Sequence, residues 1–159
     1  MHSRIYQISE NLIQEENLIT EGRYSMEGFI GRIADYVVPV DSLPNIKSDL
    51  EWLENATRGI EVDTEANTIK ITSKKEYFEE NFENFKKLTE KLNSISLEDF
   101  TETGVSISIS TLCNLHENKR GFYIDDNDEY LGTVPFDTWV RHAEENKIYY
   151  VGSIFNYHF

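Results

Sequence analysis

The sequence predicts an α+β fold in a single domain, with a mainly antiparallel sheet of about five to six strands and about three to four helices. Three observations predict this class. Segments with apolar residues at every second position, typical of strands, alternate with segments of helical period. Several strand-like segments come in pairs joined by short polar turns, which favours antiparallel pairing. The length of 159 residues is that of one domain.

The first third of the chain predicts one strand and two helices. Residues 4–9 alternate apolar and polar side chains and predict the first strand. Residues 28–38 repeat apolar side chains at spacings of three and four, which predicts a helix. A second, short helix follows, with a capping box formed by Ser48 and Glu51 and with Gly59 past its end.

The middle of the chain predicts a hairpin and then a long helix. Residues 60–72 contain two short apolar runs around a polar turn, which is typical of a hairpin. Ser73 and Glu76 form a capping box that opens a helix extending to about residue 94. Its apolar side chains form one continuous stripe, which we expect to face the core. The stripe consists of Phe78, Phe82, Phe85, Leu88 and Leu92.

The last third predicts three strands and one helix. Residues 105–109 alternate apolar residues with serines and predict a strand with one wet face. Residues 121–126 predict another strand, and the stretch after it predicts a helix with Pro135 at its start and Asn146 past its end. Residues 148–159 are rich in aromatic and β-branched side chains on both faces, so we expect a long strand in the centre of the sheet or at an interface.

The chain is strongly acidic, and its charge is unevenly distributed. It has 29 acidic and 15 basic residues, a net charge of −14. Residues 1–72 have 13 acids against 6 bases and residues 95–159 have 11 against 4, so each carries −7, whereas the predicted long helix is neutral. Such a charge repels phosphate and anionic lipid and attracts basic surfaces. We therefore expect a basic protein surface as partner, with no direct contact to nucleic acid or membrane.

The acidic stretch at 125–129 is the first candidate for partner binding. Asp and Asn tolerate the dihedral angles of turns, and the stretch lies between two strand-like runs, so a hairpin turn is favoured over a site for a hard cation. Few basic residues lie near it in sequence, so its charge is unbalanced. We expect it to lead an acidic partner-binding face through Asp125, Asp126, Asp128 and Glu129.

Two further groups are candidates for contact with a partner. Glu76, Glu79 and Glu80 lie in the first half of the long helix, where the helix dipole already favours acids, so we expect them to contribute only where the fold brings them beside the acidic stretch. Near the end of the chain, aromatic side chains are expected to act as apolar anchors while acids steer the encounter. These anchors are Phe155, Tyr157 and Phe159.

Catalytic and metal-binding signatures are sparse. Cys113 and His116 form half of a zinc site or the start of a thiol nucleophile pair, but a lone cysteine is more often a small buried hydrophobe. Phosphate-binding loops and the nucleophile elbow are absent from the sequence. We expect no catalytic residue, no cofactor and no metal.

The expected compartment is the cytoplasm of a bacterial host. A single cysteine excludes an internal disulfide, and the first residues lack the apolar core of a signal peptide. No run approaches the roughly 20 apolar residues of a membrane helix. The sequence thus predicts a soluble intracellular protein.

The segments RIYQIS, GFIGRIADYV and DLEWL together resemble the opening of small acidic proteins from phages and mobile elements of Gram-positive bacteria. Some proteins of that character are anti-CRISPR inhibitors of Cas9. The resemblance implies a stoichiometric binder that occupies either a nucleic-acid groove of Cas9 or a nuclease domain that must move before cleavage. It supplies no catalytic residues.

Three functional hypotheses follow from the sequence. The first is a non-enzymatic inhibitor of a nucleic-acid enzyme, such as a type II anti-CRISPR protein that blocks Cas9. The second is an immunity protein that neutralises a toxin with a basic active site. The third is an enzyme, either a metal-dependent hydrolase that uses the acidic stretch or a thiol enzyme that uses Cys113 and His116.

Overall fold

The computed structural model describes residues 2–26, 28–101, 103–114, 121–126 and 132–159. These residues form seven strands and six α-helices. The strands are β1 (His2–Ser9), β2 (Tyr36–Pro39), β3 (Ile60–Asp63), β4 (Thr68–Ile71), β5 (Tyr123–Asp126), β6 (Thr133–Pro135) and β7 (Ile148–His158). The helices are α1 (Gly22–Met26), α2 (Leu43–Ala56), α3 (Lys74–Asn93), α4 (Leu97–Phe100), α5 (Thr103–Asn114) and α6 (Phe136–His142).

The strands form one mixed, mostly antiparallel sheet in the order β3-β4-β7-β1-β5-β6, with β2 also paired to β7. β7 is the central strand: β1 lies along one side, while β4 and β2 share the other side. β1 and β5 form the parallel pair. The predicted α+β class and the central position of the last strand are confirmed, with more strands and helices than predicted.

A bulge in β7 brings an extra residue opposite Gln7. Tyr6 pairs with Ile154 and Ile8 with Val151, so two steps along β1 match three steps along β7. The fully buried Gln7 side chain occupies this irregularity. Its Oε1 accepts hydrogen bonds from the amides of Ser153 (3.0 Å) and Ile19 (3.1 Å), and its Nε2 donates to the Asn17 carbonyl (2.8 Å). Gln7 therefore fixes the segment that follows β1 onto the sheet.

Each face of the sheet carries its own apolar core because successive side chains of a strand point to opposite faces. In β1, Tyr6 and Ile8 belong to the larger core, whereas Ile5 belongs to the smaller one. α2 and α6 cover the larger core, and α1 with the segment after it covers the smaller one. The largest fully buried side chains include Tyr6, Tyr24, Phe122, Phe136, Phe155 and Tyr157.

The helix predicted for residues 28–38 is wrong. Gly28 and Gly31 have φ angles of +72° and +89°, which interrupt a right-handed helix. The segment instead makes a compact turn, closed by a 2.8 Å hydrogen bond from the Gly31 amide to the Ala34 carbonyl, and continues into β2. The apolar spacing nevertheless predicts correctly that these side chains are buried, since Phe29 and Ala34 lie in the smaller core.

The strand predicted for residues 105–109 is also wrong, because this segment lies in α5. The sequence contains two periods at once. Val105, Ile107 and Ile109 alternate, but Val105, Ile109 and Leu112 are spaced by four and three, which suits one face of a helix. Val105 is buried, so the helical spacing is the one that packs.

Two other helices differ from prediction at their ends. α2 begins at Leu43, with Pro44 in its first turn and Ser42 as N-cap residue, so Ser48 and Glu51 lie inside the helix and form no capping box at its start. α6 is shorter than predicted and ends at His142. By contrast, the hairpin β3–β4 is confirmed, as is the cap of α3, where the Ser73 hydroxyl accepts a 3.1 Å hydrogen bond from the Glu76 amide.

Candidate protein-binding site

The helical arm, defined as α3, α4 and α5, is held to the sheet by the first turn of α3. Tyr77 is the buried residue of that helix, and its hydroxyl donates to the Asp137 carboxylate on α6. The Lys74 ammonium donates to the Arg141 carbonyl at 2.9 Å. The Arg141 guanidinium lies 4.3 Å from the centre of the Phe78 ring. The base of the helical arm is therefore firmly docked on α6.

Beyond this base, α3 packs on α5. The Phe82 and Phe85 side chains are 57% and 39% exposed. The expectation that the phenylalanine stripe of the long helix faces the core is therefore wrong after Phe78, which packs against the larger core. Amphipathic spacing identified the apolar face of α3, but the fold leaves much of that face uncovered.

The far end of the helical arm contains an apolar groove of about 480 Å³. The exposed fractions of Leu97 and Phe100 on α4 are 84% and 63%. Ser96 is the polar residue in the lining, and its hydroxyl is already engaged in the cap of α4. The apolar residues that line the groove are Leu92, Ile95, Leu97, Phe100, Val105 and Ile109.

The surroundings of the apolar groove are acidic. Residues 90–101 of the sequence contain three acids, Glu90, Glu98 and Asp99, against one base, Lys91. Asp99 forms a capping box with Ser96, and the hydrogen bonds from the Ser96 hydroxyl and amide lower the pKa of this exposed carboxyl. Asp99 is therefore ionised at neutral pH beside the groove.

Asp125, the first residue of the acidic stretch, does not contribute to the expected partner-binding face. Asp125 is fully buried, and its Oδ2 lies 2.9 Å from Nε of Arg23 on α1. A buried carboxylate beside a guanidinium holds α1 against β5 and cannot present charge to a partner. The prediction that Asp125 leads a partner-binding face is wrong. The Asp126 side chain, Asp128 and Glu129 lie outside the part of the chain that the structure describes.

The three predicted glutamates of α3 are exposed, but they lie at the base of the helical arm and do not line the apolar groove. The Glu79 carboxylate lies 3.7 Å from the Arg58 guanidinium, a weak pair between exposed side chains. Since Asp125 is buried, Glu76, Glu79 and Glu80 do not form a joint acidic face with it.

The predicted aromatic anchors fall mostly in the core. Phe155 and Tyr157 are buried on the smaller-core face of β7, where the Tyr157 hydroxyl donates to the Gly121 carbonyl. Their role as exposed anchors is therefore wrong. Phe159 is 46% exposed and stacks on Tyr157, so it alone of the three is accessible to a partner.

The thiol and metal hypotheses receive no geometric support from the described residues. His116 and the side chain of Cys113 fall outside them. Among the described residues, no group of three or more His, Cys, Asp or Glu side chains is placed to hold a metal ion. In the same part of the chain, no helix combines the length and apolar character needed to cross a membrane.

A polar cleft of about 520 Å³ lies between β1, β2 and the start of α2. Arg4 forms a two-point pair with Asp49 there, with Nε to Oδ2 at 2.8 Å and Nη2 to Oδ1 at 2.9 Å. Arg4 also donates to Asn156 Oδ1 (3.1 Å) and lies 5.2 Å from the centre of the Trp52 ring. These contacts join α2 to the sheet, so this cleft is structural in character.

The comparisons with known proteins identified no relative: no protein-family profile, no curated protein and no solved structure matches this chain. The geometry of the helical arm is therefore the feature that points to a function. Its key residues, Leu97, Phe100 and Ile109, were absent from the sequence-based candidates. The signal that could have found them is the cluster of apolar residues after the long helix.

Proposed function

We propose that this protein is a non-catalytic, stoichiometric inhibitor that binds a basic protein surface on a nucleic-acid enzyme, namely a type II CRISPR nuclease such as Cas9. The observation that carries the proposal is the helical arm, whose large apolar residues stay exposed on a chain of net charge −14. Several large apolar side chains that stay exposed on one part of a protein are typical of a protein-binding site.

The charge of the chain and the exposed apolar residues of the arm have separate roles in binding. The net charge of −14 attracts a basic partner surface over roughly 10 Å at moderate salt. Phe82 and Phe85 then bury apolar area against the partner, and such aromatic anchors supply most of the affinity in protein interfaces. A basic surface on a nucleic-acid enzyme is where its substrate binds, so its occupation inhibits the enzyme.

The experiment measures binding and DNA cleavage by the Cas9–guide RNA complex at a salt concentration of about 150 mM. We expect a stable complex and reduced cleavage when the protein is in several-fold molar excess. Replacing both Phe82 and Phe85 with alanine should weaken binding about tenfold or more, because the anchors are lost. Leu12→Ala is the matched control, since Leu12 is exposed and distant in sequence from the arm.

Addition of the protein before and after target DNA separates the two modes of inhibition. Protection only when it is added first indicates competition for the DNA-binding groove, whereas protection in both orders indicates that it blocks movement of a nuclease domain. Absence of binding, together with undiminished cleavage, would refute the proposal for this nuclease.

A further inference from the structure

We infer that the apolar groove at the end of the helical arm binds a basic amphipathic helix of another protein. The inference rests on the proposed function in that the arm is taken as the binding element, and it names the kind of segment that the arm recognises. The groove is distinct from Phe82 and Phe85, and none of the sequence-based candidates lies in it.

The lining determines that the bound segment is helical. Six of the seven lining residues are apolar, and the hydroxyl of the seventh, Ser96, accepts from the Asp99 amide at 3.1 Å. A segment buried in such a groove finds few groups for its backbone amides and carbonyls, and an unpaired buried backbone group is unfavourable. A helix satisfies these groups internally and presents apolar side chains at spacings of three and four.

The charge around the apolar groove determines the sign of the charge that the bound segment carries. Glu98 and Asp99 are exposed and lie between the lining residues Leu97 and Phe100 on α4, which contains no basic residue. The carbonyl end of α3, which is the negative end of its dipole, also lies at Leu92 and Ile95 in the lining. Lys91 offsets only part of this charge. Lysine or arginine residues that flank an apolar face therefore complement the groove.

The same charge argues against a second copy of this chain as the occupant. Each copy carries −14, so two copies repel one another at moderate salt. A homodimer through the apolar groove is thus the alternative that the experiment must exclude.

The test uses a fluorescent Leu/Lys peptide of about 18 residues, which forms five turns of an amphipathic helix. A Leu/Glu peptide with the same apolar face is the control for charge. Fluorescence anisotropy with the full-length protein measures both affinities. We expect the Leu/Lys peptide to bind at least about tenfold more tightly than the Leu/Glu peptide, because the rim of the groove is acidic.

Two double variants locate the bound peptide. Leu97→Ser with Phe100→Ser should weaken Leu/Lys binding about tenfold or more, because two apolar anchors are lost. The matched control is Leu12→Ser with Met26→Ser, because the exposed fractions of Met26 and Leu12, 84% and 65%, match those of Leu97 and Phe100, 84% and 63%. We expect this control to change affinity by less than about twofold. Equal weakening in both double variants would overturn the inference.

A charge variant tests the acidic residues beside the groove independently of its apolar lining. Glu98→Lys should weaken Leu/Lys binding by roughly fivefold and reduce the dependence of binding on salt. The control is Glu16→Lys, the same change on an exposed turn near the start of the chain, and it should have little effect. Equal effects of the two variants would mean that the peptide senses only net charge, and would overturn the inference.

Sedimentation of the free protein tests the alternative occupant. We expect no self-association that depends on Leu97 and Phe100, and a dimer that is abolished in the Leu97→Ser, Phe100→Ser variant would overturn the inference. The two proposals fail separately. Binding of the peptide in the groove without inhibition of Cas9 refutes the choice of nuclease, whereas inhibition of Cas9 without groove-dependent peptide binding refutes the groove.

Discussion

The sheet and the helical arm use aromatic residues in opposite ways. In the larger core on the sheet, Phe122, just before β5, and Phe136, at the start of α6, are buried, with their ring centres 6.2 Å apart. On the helical arm, Phe82 and Phe100 are mostly exposed. Aromatic residues in the first setting stabilise the fold, whereas those in the second add little to stability and are available for binding.

The largest expected difference between these regions is in free energy of unfolding. Phe136→Ala should destabilise the protein by about 3–5 kcal/mol, because it leaves a cavity in the larger core. Phe82→Ala removes the same ring from an exposed position and should change stability by no more than about 0.5 kcal/mol. Urea unfolding of both variants measures the contrast, and similar values would mean that the arm is part of the core.

The junction between the two regions comes second. Tyr77→Phe removes the hydrogen bond from the Tyr77 hydroxyl to Asp137 and should destabilise the protein by about 1.5–3 kcal/mol, since the acceptor is a buried carboxylate. Amide hydrogen exchange should also become faster in the first turns of α3. Unchanged exchange there would show that the hydrogen bond does not hold the arm in place.

A single type of substitution should act in opposite directions in the two regions. A Cβ at Gly152 would lie 2.6 Å from Gln7 Oε1 and 2.9 Å from Ile13 Cδ1, so Gly152→Ala should destabilise by about 1–3 kcal/mol. Gly104 on the arm has open space around it, so Gly104→Ala should stabilise by up to about 0.5 kcal/mol. Thermal unfolding compares the two, and destabilisation by both would contradict the contrast.

High pH should weaken the sheet. Burial, together with the nearby Asp49 carboxylate, raises the pKa of the Tyr6 phenol, against an opposing effect of Arg4. The folded state therefore retains a proton that the unfolded state loses, so stability is full below a pH of about 10 and falls as the pH rises towards the folded-state pKa. With an unfolded-state pKa of about 10, this one proton accounts for a loss of about 1.4 kcal/mol by pH 11.

Urea unfolding at pH 9 and pH 11 measures this loss, with Tyr6→Phe as the control variant. The variant lacks the titrating group, so its stability should fall less over the same interval. Equal falls in the two proteins would exclude Tyr6 as a source of the dependence.

Low pH should affect the helical arm, with the smallest expected effect. The Ser96 hydroxyl and amide lower the pKa of Asp99, so the capping box contributes above the unfolded-state pKa and is lost as the pH falls through the folded-state value. Carboxyl carbon NMR should give a lower titration midpoint for Asp99 in the wild type than in Ser96→Ala. An identical midpoint in both would exclude the capping box as the cause.

The elements that the sequence predicts best are those defined by local patterns. In the hairpin β3–β4, Ile60 pairs with Ile71 and Val62 with Ile69, as the alternation of apolar residues predicts. The final strand is predicted equally well, because apolar residues on both faces require cover on both sides. The helix prediction for residues 28–38 fails because the apolar spacing indicates only which residues are buried, whereas the glycines determine the backbone conformation.

The binding site is harder to predict because periodicity shows which face of a helix is apolar but not what covers it. The stripe of α3 is correct as a pattern, and yet Phe82 remains exposed. Conversely, the sequence suggests that Phe155 is an anchor for a partner and that Asp125 is a surface acid. Both residues are buried by contacts from distant parts of the chain. Such long-range contacts have no local signature.

The central position of β7 has a consequence for synthesis on the ribosome. β7 is the last element in chain order, and it pairs with β1, β2 and β4, all of which emerge earlier. The sheet cannot be completed until β7 has left the exit tunnel, so the edges of β1 and β4 that pair with β7 remain unpaired during translation. The helices α3, α4 and α5 follow one another in the chain and α3 packs on α5, so the helices of the arm are able to form while the sheet is still incomplete.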